Sequence, residues 1–266
     1  MNQMSWRIAT SYADYFYQRR LLRRDPVFRG IEVPHGNGEP ILLIPGFLAG
    51  DWSLSVLTEW LNGLGYRVYC SGIGPNIRCP YKTSELLRWR LDYIAKEAKQ
   101  RVIIIGHSLG GVLARYLGAR QPQQVRHIFA LGSPIDGSMR IHPLVPFTFK
   151  IIQYMQWFSE QAVSPCAKDL RCSCEFVKGA FGSLLQDVRF TAIYSKQDEI
   201  VDWRACIDPA QASYEVRGQH LGLIVNLAVY RLLGQLLACE SAIKQVTLSE
   251  TPRQPRNYHA ANLSAA

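Results

Sequence analysis

The sequence predicts an α/β fold in which a mostly parallel central sheet is covered by helices on both faces. Three observations predict it. From residue 40 onward, short apolar runs of strand length alternate with stretches of helical periodicity, and Gly or Pro separates the two. The strand runs are continuously apolar, as expected for strands buried on both faces of a parallel sheet. Hydrophobic residues make up 48% of the 266 residues and charged residues 19%, which supplies a large core and carries no signature of disorder. The length fits one large α/β domain or two small ones. Collagen, a coiled coil and a disulfide miniprotein are excluded by composition.

The elements follow in order. In residues 1–30, aromatic and aliphatic side chains lie between six arginines, and Ile8, Tyr12 and Phe16 recur at helical spacing. This predicts an amphipathic helix. It either packs on the main domain with a solvated basic face or rests on an anionic membrane surface, which suits arginine with aromatics. Residues 41–44 (Ile-Leu-Leu-Ile) end at Pro45-Gly46 and predict a buried strand. Residues 53–61 predict a helix, with Gly63 and Gly65 past its end, and residues 66–70 the next strand. Residues 83–99 predict a helix with Leu86, Leu87, Leu91 and Ile94 on one side and Thr83 or Ser84 as its cap. Residues 102–105 are β-branched throughout and predict a buried strand, and 109–119 a helix. Further strands are predicted at 127–131, 190–194 and 214–216, and a last helix at 221–239.

Residues 138–182 are too long for a simple crossover. They hold Phe147, Phe149, Ile151, Ile152, Trp157 and Phe158, which need a partner surface. The segment is expected to serve as a lid over a pocket, with a core role as the alternative. Residues 1–39 are expected to be a basic N-terminal segment, 40–248 the main domain, and 249–266 a flexible tail that is polar and contains Pro252 and Pro255. No internal repeat is visible.

The net charge is +9, from 30 Lys+Arg against 21 Asp+Glu. Residues 1–30 carry six arginines against two aspartates, so nearly half of that excess is local to them. Nucleic acid has no supporting motif and is not expected as a partner. Contact of the N-terminal helix with an anionic lipid surface is the use that fits, and removing the helix is then expected to reduce liposome binding but not turnover of soluble substrates. No run reaches the roughly 18 apolar residues of a membrane span. Arg7, Asp14 and Arg19-Arg20 interrupt any secretory signal, so a cytoplasmic protein with reduced thiols is expected. The seven cysteines include Cys166, Cys172 and Cys174, but C-x5-C-x-C matches no common structural zinc site. Neither a metal nor a cofactor is expected.

The chemistry is carried by Gly106-His107-Ser108-Leu109-Gly110-Gly111. This is G-x-S-x-G placed directly between a β-branched strand and a helix. Small residues are needed at 106 and 110 because the chain turns sharply there. The turn lifts the Ser108 hydroxyl above the sheet edge at a helix N-terminus, where backbone N–H groups favour negative charge. A phosphate loop fails because no Lys follows the glycines, and a dinucleotide site fails because no G-x-G-x-x-G follows the strand.

With Ile44-Pro45-Gly46-Phe47, this pattern resembles the α/β-hydrolase fold, and within it the bacterial serine lipase and esterase group, over roughly residues 40–240. The resemblance implies nucleophile, acid and histidine in that chain order. Ser108 is then the nucleophile. His220, in Gly218-Gln219-His220 after the last strand, is its base, in preference to His35, His107, His127, His142 and His259. Asp198, after the strand at 190–194, orients the histidine, with Glu199, Asp202 and Asp136 as the alternatives. The oxyanion hole is expected from the backbone N–H groups of Leu109 and Phe47. Where family members often have His-Gly, this chain has Pro45-Gly46.

The function implied is hydrolysis of carboxylic esters by a lipase or carboxylesterase through an acyl-enzyme. Thioesterase and acyltransferase readings share the same triad. A non-catalytic lipid-binding protein on this scaffold is the alternative of another class. Dehalogenases and epoxide hydrolases are disfavoured because they use Asp where Ser108 stands. The apolar insertion favours lipid esters over small ones.

Overall fold

The computed structural model describes residues 3–138, 140–142, 175–182, 184 and 187–249. The chain opens with helix α1 (Gln3–Arg24) and a short 3-10 turn (Pro26–Arg29), then enters strand β1 (Pro40–Ile44). Next come α2 (Ser55–Gly63), β2 (Arg67–Cys70), α3 (Pro80–Ala98), β3 (Val102–His107), α4 (Leu109–Arg120) and β4 (Val125–Leu131). After the insertion follow α5 (Glu175–Phe181), β5 (Arg189–Ser195), β6 (Ala212–Val216) and α6 (Leu227–Ser249).

The strands form one parallel sheet in the order β2-β1-β3-β4-β5-β6. The pleat sends alternate residues to opposite faces. Ile41, Leu43, Ile103, Ile105 and Phe129 join a cluster with α2 and α6, while Leu42, Ile44, Ile104 and Ile128 join one with α3 and α4. Both faces are therefore covered, which is why the strands read as unbroken apolar runs. β1 is flanked by β2 and β3, so the connections diverge on either side of it. The carboxyl ends of β1 and β3 thus border the crevice where ligands bind in open α/β sheets.

The N-terminal segment belongs to this core. Leu22, Val27 and Val33 sit in the same cluster as β1, and Trp60 Nε1 of α2 donates to the Val27 carbonyl at 2.8 Å. Tyr12 and Phe16, two of the residues whose spacing marks α1, do not face the core. Tyr12 is 56% and Phe16 60% exposed, while Ser11 and Leu22 are buried. The inner side of α1 is mixed: Leu22 and Tyr15 pack on the apolar cluster, while Ser11 and Asp14 meet backbone amides.

Three helix limits also differ from expectation. α3 begins at Pro80, which fits a first helical turn that needs no proline N–H. Thr83 and Ser84 lie inside the helix, and Ser84 Oγ bonds back to the Tyr81 carbonyl. Leu86 points out to solvent, unlike Leu87, Leu91 and Ile94. α2 is preceded by a 3-10 turn (Asp51–Leu54). The stretch from 221 is a 3-10 turn (Leu221–Val225) broken at Asn226 before α6. Asn226 Oδ1 accepts from Ala228 N and Val229 N, capping α6, while its Nδ2 donates to the Arg217 carbonyl.

Most of the 138–182 insertion, with Cys166, Cys172 and Cys174, lies outside the described residues, as does the tail beyond 249. At its described ends, Ile141 bridges to Val201 and α5 packs Phe176 and Ala180 into the core. No helix among the described residues is long and apolar enough to cross a membrane.

Candidate active site

Ser108 stands between β3 and α4 with φ 53° and ψ −121°, a left-handed conformation that a non-glycine residue rarely adopts. Two glycines make the turn feasible. A Cβ on Gly106 would lie 2.4 Å from the Gly110 carbonyl, and one on Gly110 would lie 2.1 Å from the Ile44 carbonyl of β1. The elbow therefore brings α4 onto both its own strand and the neighbouring one. Ser108 N–H donates to the Leu131 carbonyl at 2.8 Å, which anchors the elbow to β4.

The loop after β1 packs directly on the elbow. A Cβ on Gly46 would meet Ser108 Cβ and His107 Nδ1 at 3.1 Å, tighter than an ordinary contact, so the loop lies close against the elbow. Leu109 opens α4, and its N–H belongs to the first turn, which has no acceptor within the helix. The loop is held by a residue that sequence reasoning passed over. Asn76 Nδ2 donates to the Pro45 carbonyl at 3.0 Å, its N–H donates to Ala49 O at 2.9 Å, and its carbonyl accepts from Leu48 N–H at 3.2 Å. These bonds bracket Phe47 and stabilise Leu48 at φ 63°. Asn76 stands in Gly74-Pro75-Asn76, and no sequence signal ties it to a loop about thirty residues earlier.

Asp198 and His220 come together. His220 Nδ1–H donates to Asp198 Oδ2 at 2.7 Å, and both side chains are almost completely buried, at 4% and 1% exposure. Asp198 Oδ1 accepts from the N–H groups of Ile200 and Val201, which fixes the carboxylate. The other acids are engaged elsewhere. Glu199 accepts from His220 N–H, Asp202 caps the turn at Arg204, and Asp136 accepts from Ser138. Burial disfavours the charge on His220, but the charge and hydrogen bond of Asp198, with Glu199, outweigh it and raise its pKa above the ordinary histidine value.

The segments that carry Ser108 and His220 are joined through His107. Its Nε2–H donates to the His220 carbonyl at 3.0 Å, and the two rings lie 4.7 Å apart. Burial first, and then the nearby His220, lower the His107 pKa to about 3, so it is neutral. Among the described residues, Ser108 Oγ makes no hydrogen bond to His220. Of the remaining histidines, His127 lies at the far end of the sheet. Its Nδ1 donates to Glu240 on α6, and its Nε2 accepts from Thr191. His35 faces the Gly30 carbonyl and His142 follows the Ile141 bridge, while His259 is outside the described residues.

Ser108, Phe47, Asp198 and His220 thus all follow the carboxyl ends of parallel strands, namely β3, β1, β5 and β6. A serine on a turn with positive φ at a helix N-terminus and a carboxylate-held imidazole are parts that nucleophilic acyl transfer uses.

Residues 41–254 match the alpha/beta hydrolase family. A triacylglycerol lipase of Pseudarthrobacter phenanthrenivorans is 30% identical over 112 residues, covering 37% of this chain and 34% of that protein. One of Burkholderia plantarii is 30% identical over 112 residues, covering 37% and 30%. The chain therefore spans about a third of the length of the curated relatives it matches. Among solved structures, a metagenomic carboxyl esterase superposes with a TM-score of 0.55 at 14% identity, over 80% of this chain and 78% of that one. The monoacylglycerol lipase of Paleococcus ferrophilus gives 0.54 at 16% identity, over 78% and 97%. At these identities the structural likeness is one of fold.

Proposed function

The chain belongs to the alpha/beta hydrolase family, and from that premise we propose that it is a serine hydrolase that cleaves carboxylic esters, with lipid esters as its substrates. The observation that carries the reading is the buried Asp198–His220 pair beside the elbow that holds Ser108 in a left-handed conformation. The lipase and esterase names among the relatives support the ester class.

In the proposed mechanism, Ser108 Oγ attacks the ester carbonyl carbon while His220 Nε2 takes its proton. The carbonyl electron pair moves onto oxygen, where the N–H groups of Phe47 and Leu109 receive it. Asp198 keeps the histidine in the tautomer with hydrogen on Nδ1 and stabilises the imidazolium. The tetrahedral intermediate collapses, expels the alcohol with the proton from His220, and leaves an acyl group on Ser108. Water, deprotonated by His220, then releases the acid. The Ser108–His220 hydrogen bond forms in the loaded site, since catalytic hydrogen bonds commonly tighten only with substrate present.

Peripheral contact with an anionic lipid surface belongs to the same proposal. Tyr12, Phe16 and Tyr17 are exposed on α1, and Arg20 and Arg24 are exposed beside them, a combination that suits anionic headgroups.

The test is Ser108→Ala. It is expected to abolish hydrolysis of p-nitrophenyl esters and labelling by a fluorophosphonate, with the fold retained by circular dichroism. Undiminished turnover in that variant rejects the reading. Activity on long-chain triglyceride emulsions against soluble tributyrin tests the lipid part, and absence of long-chain activity rejects it.

A further inference from the structure

Three consecutive backbone amides in the loop that carries His220 are each captured by a side chain from elsewhere. Gln219 N–H donates to Asp14 Oδ2 at 3.0 Å, His220 N–H to Glu199 Oε2 at 3.1 Å, and Leu221 N–H to Ser11 Oγ at 3.4 Å. Glu199 belongs to the loop of the acid. Asp14 and Ser11 belong to α1, outside the residues that match the family.

The inner face of α1 is built for this contact. Ser11 and Asp14 are three residues apart and so share one side of the helix. Ser11 is buried. Gln18, a turn further on, donates Nε2 to Asp14 Oδ1 at 3.2 Å and so fixes the carboxylate with its other oxygen toward the loop. The loop answers with Gly222, where a Cβ would lie 2.2 Å from Asp14 Oδ2, so the carboxylate sits against bare backbone. Residues 217–220 lie outside any helix or strand, and their amides have no ladder to satisfy them. The acceptors on α1 therefore decide where this stretch of backbone rests, and the backbone decides where the imidazole points.

We propose that Asp14 and Ser11 are positioning residues for His220, so that α1 completes the active site from outside the family domain. The inference rests on the triad reading given above. It replaces the expectation that α1 can be removed without loss of soluble-ester turnover.

The experiment is a double-mutant cycle on the full chain, with p-nitrophenyl butyrate as substrate and rates expressed per site titrated by a fluorophosphonate. Asp14→Ala removes the acceptor. Gly222→Ala displaces the carboxylate from the opposite side. Each is expected to lower kcat about tenfold or more, since misplacement by an ångström costs on the order of a hundredfold, with KM changed less than about twofold. In the double variant the new methyl has room, its next neighbour being Gln18 Cγ at 3.6 Å, so kcat falls no further than in either single variant. Asp14→Asn, which keeps an oxygen at the same place, is expected to restore most of kcat. Parental kcat in both single variants overturns the inference, as does a double variant that loses the product of the two effects. Should Asp14→Ala not fold, Ser11→Ala and the Asp14→Asn against Gly222→Ala comparison give the same decision. Ser108→Ala, measured alongside, separates the two hypotheses. If it is inactive while the α1 variants are unimpaired, only the positioning role falls; if it is active, the triad reading falls.

Discussion

His107 Nε2 lies 3.0 Å from the backbone carbonyl of His220, joining the segment that presents the hydroxyl to the segment that presents the base. A carbonyl only accepts, so His107 must carry a hydrogen on Nε2. Its lowered pKa, near 3, is consistent with that role.

His107→Phe preserves the ring volume and removes the donor. The buried His220 carbonyl is then unsatisfied, at a cost of about 1–3 kcal/mol in stability. The same substitution alters the response to acid. His107 and His127 are both held below the ordinary value of 6.5, mainly by burial, and unfolding frees them to bind protons there. The unfolded chain thus binds more protons below 6.5, and stability falls as the pH drops from there toward the folded-state values. Urea midpoints measured between pH 7 and pH 4 are expected to decline, and to decline less steeply in His107→Phe.

On the proposed mechanism the raised pKa of His220 is expected to set the acid limb of activity. A general base must be neutral, so kcat/KM is expected to fall with acid through a midpoint above 6.5. Glu199→Gln retains an oxygen for the His220 N–H but removes one of the charges that raise the pKa. Its midpoint is expected to move to lower pH in a pH–rate profile, and a midpoint unchanged or higher rejects the electrostatic account.

Asn76→Ala frees the loop on both sides of Phe47. Removing an oxyanion donor outright costs about a hundredfold to a thousandfold in kcat. Loosening one should cost less, roughly tenfold, with KM little changed because the charge appears only in the transition state. Steady-state kinetics on a soluble ester check this.

The outward face of α1 can be tested apart from its inward face. Phe16→Ser with Arg20→Glu and Arg24→Glu is expected to weaken sedimentation with vesicles containing phosphatidylserine, most clearly at low salt. Turnover of a soluble ester is expected to be unchanged. Equal vesicle binding by the triple variant and the parent rejects the lipid contact.

Much of this was legible in the residues because the signals were backbone signals. The apolar runs at 41–44 and 102–105 marked strands buried on both faces, and the glycines at 106 and 110 marked a turn that admits no side chain. The Asp198–His220 contact followed from the order of strands in the family. What escaped was polar and remote. Tyr12 and Phe16 formed the visible stripe on α1, yet the side that docks carries Ser11 and Asp14 beside Leu22, because part of the receiving surface is backbone amides. Hydrophobic periodicity carries no record of such a surface. Asn226 was likewise hidden inside an apolar run, where its capping role interrupts what periodicity reads as one helix.

The bonds from Ser11 and Asp14 span 210 and 205 residues of sequence. During synthesis α1 leaves the ribosome about two hundred residues ahead of the amides it holds. A nascent chain can pair its early strands and form the serine elbow, but the base loop stays without its acceptors until residues 219–221 emerge. On the proposed mechanism the base is therefore held in place only after residues 219–221 have emerged, and a chain truncated before them is expected to lack ester turnover.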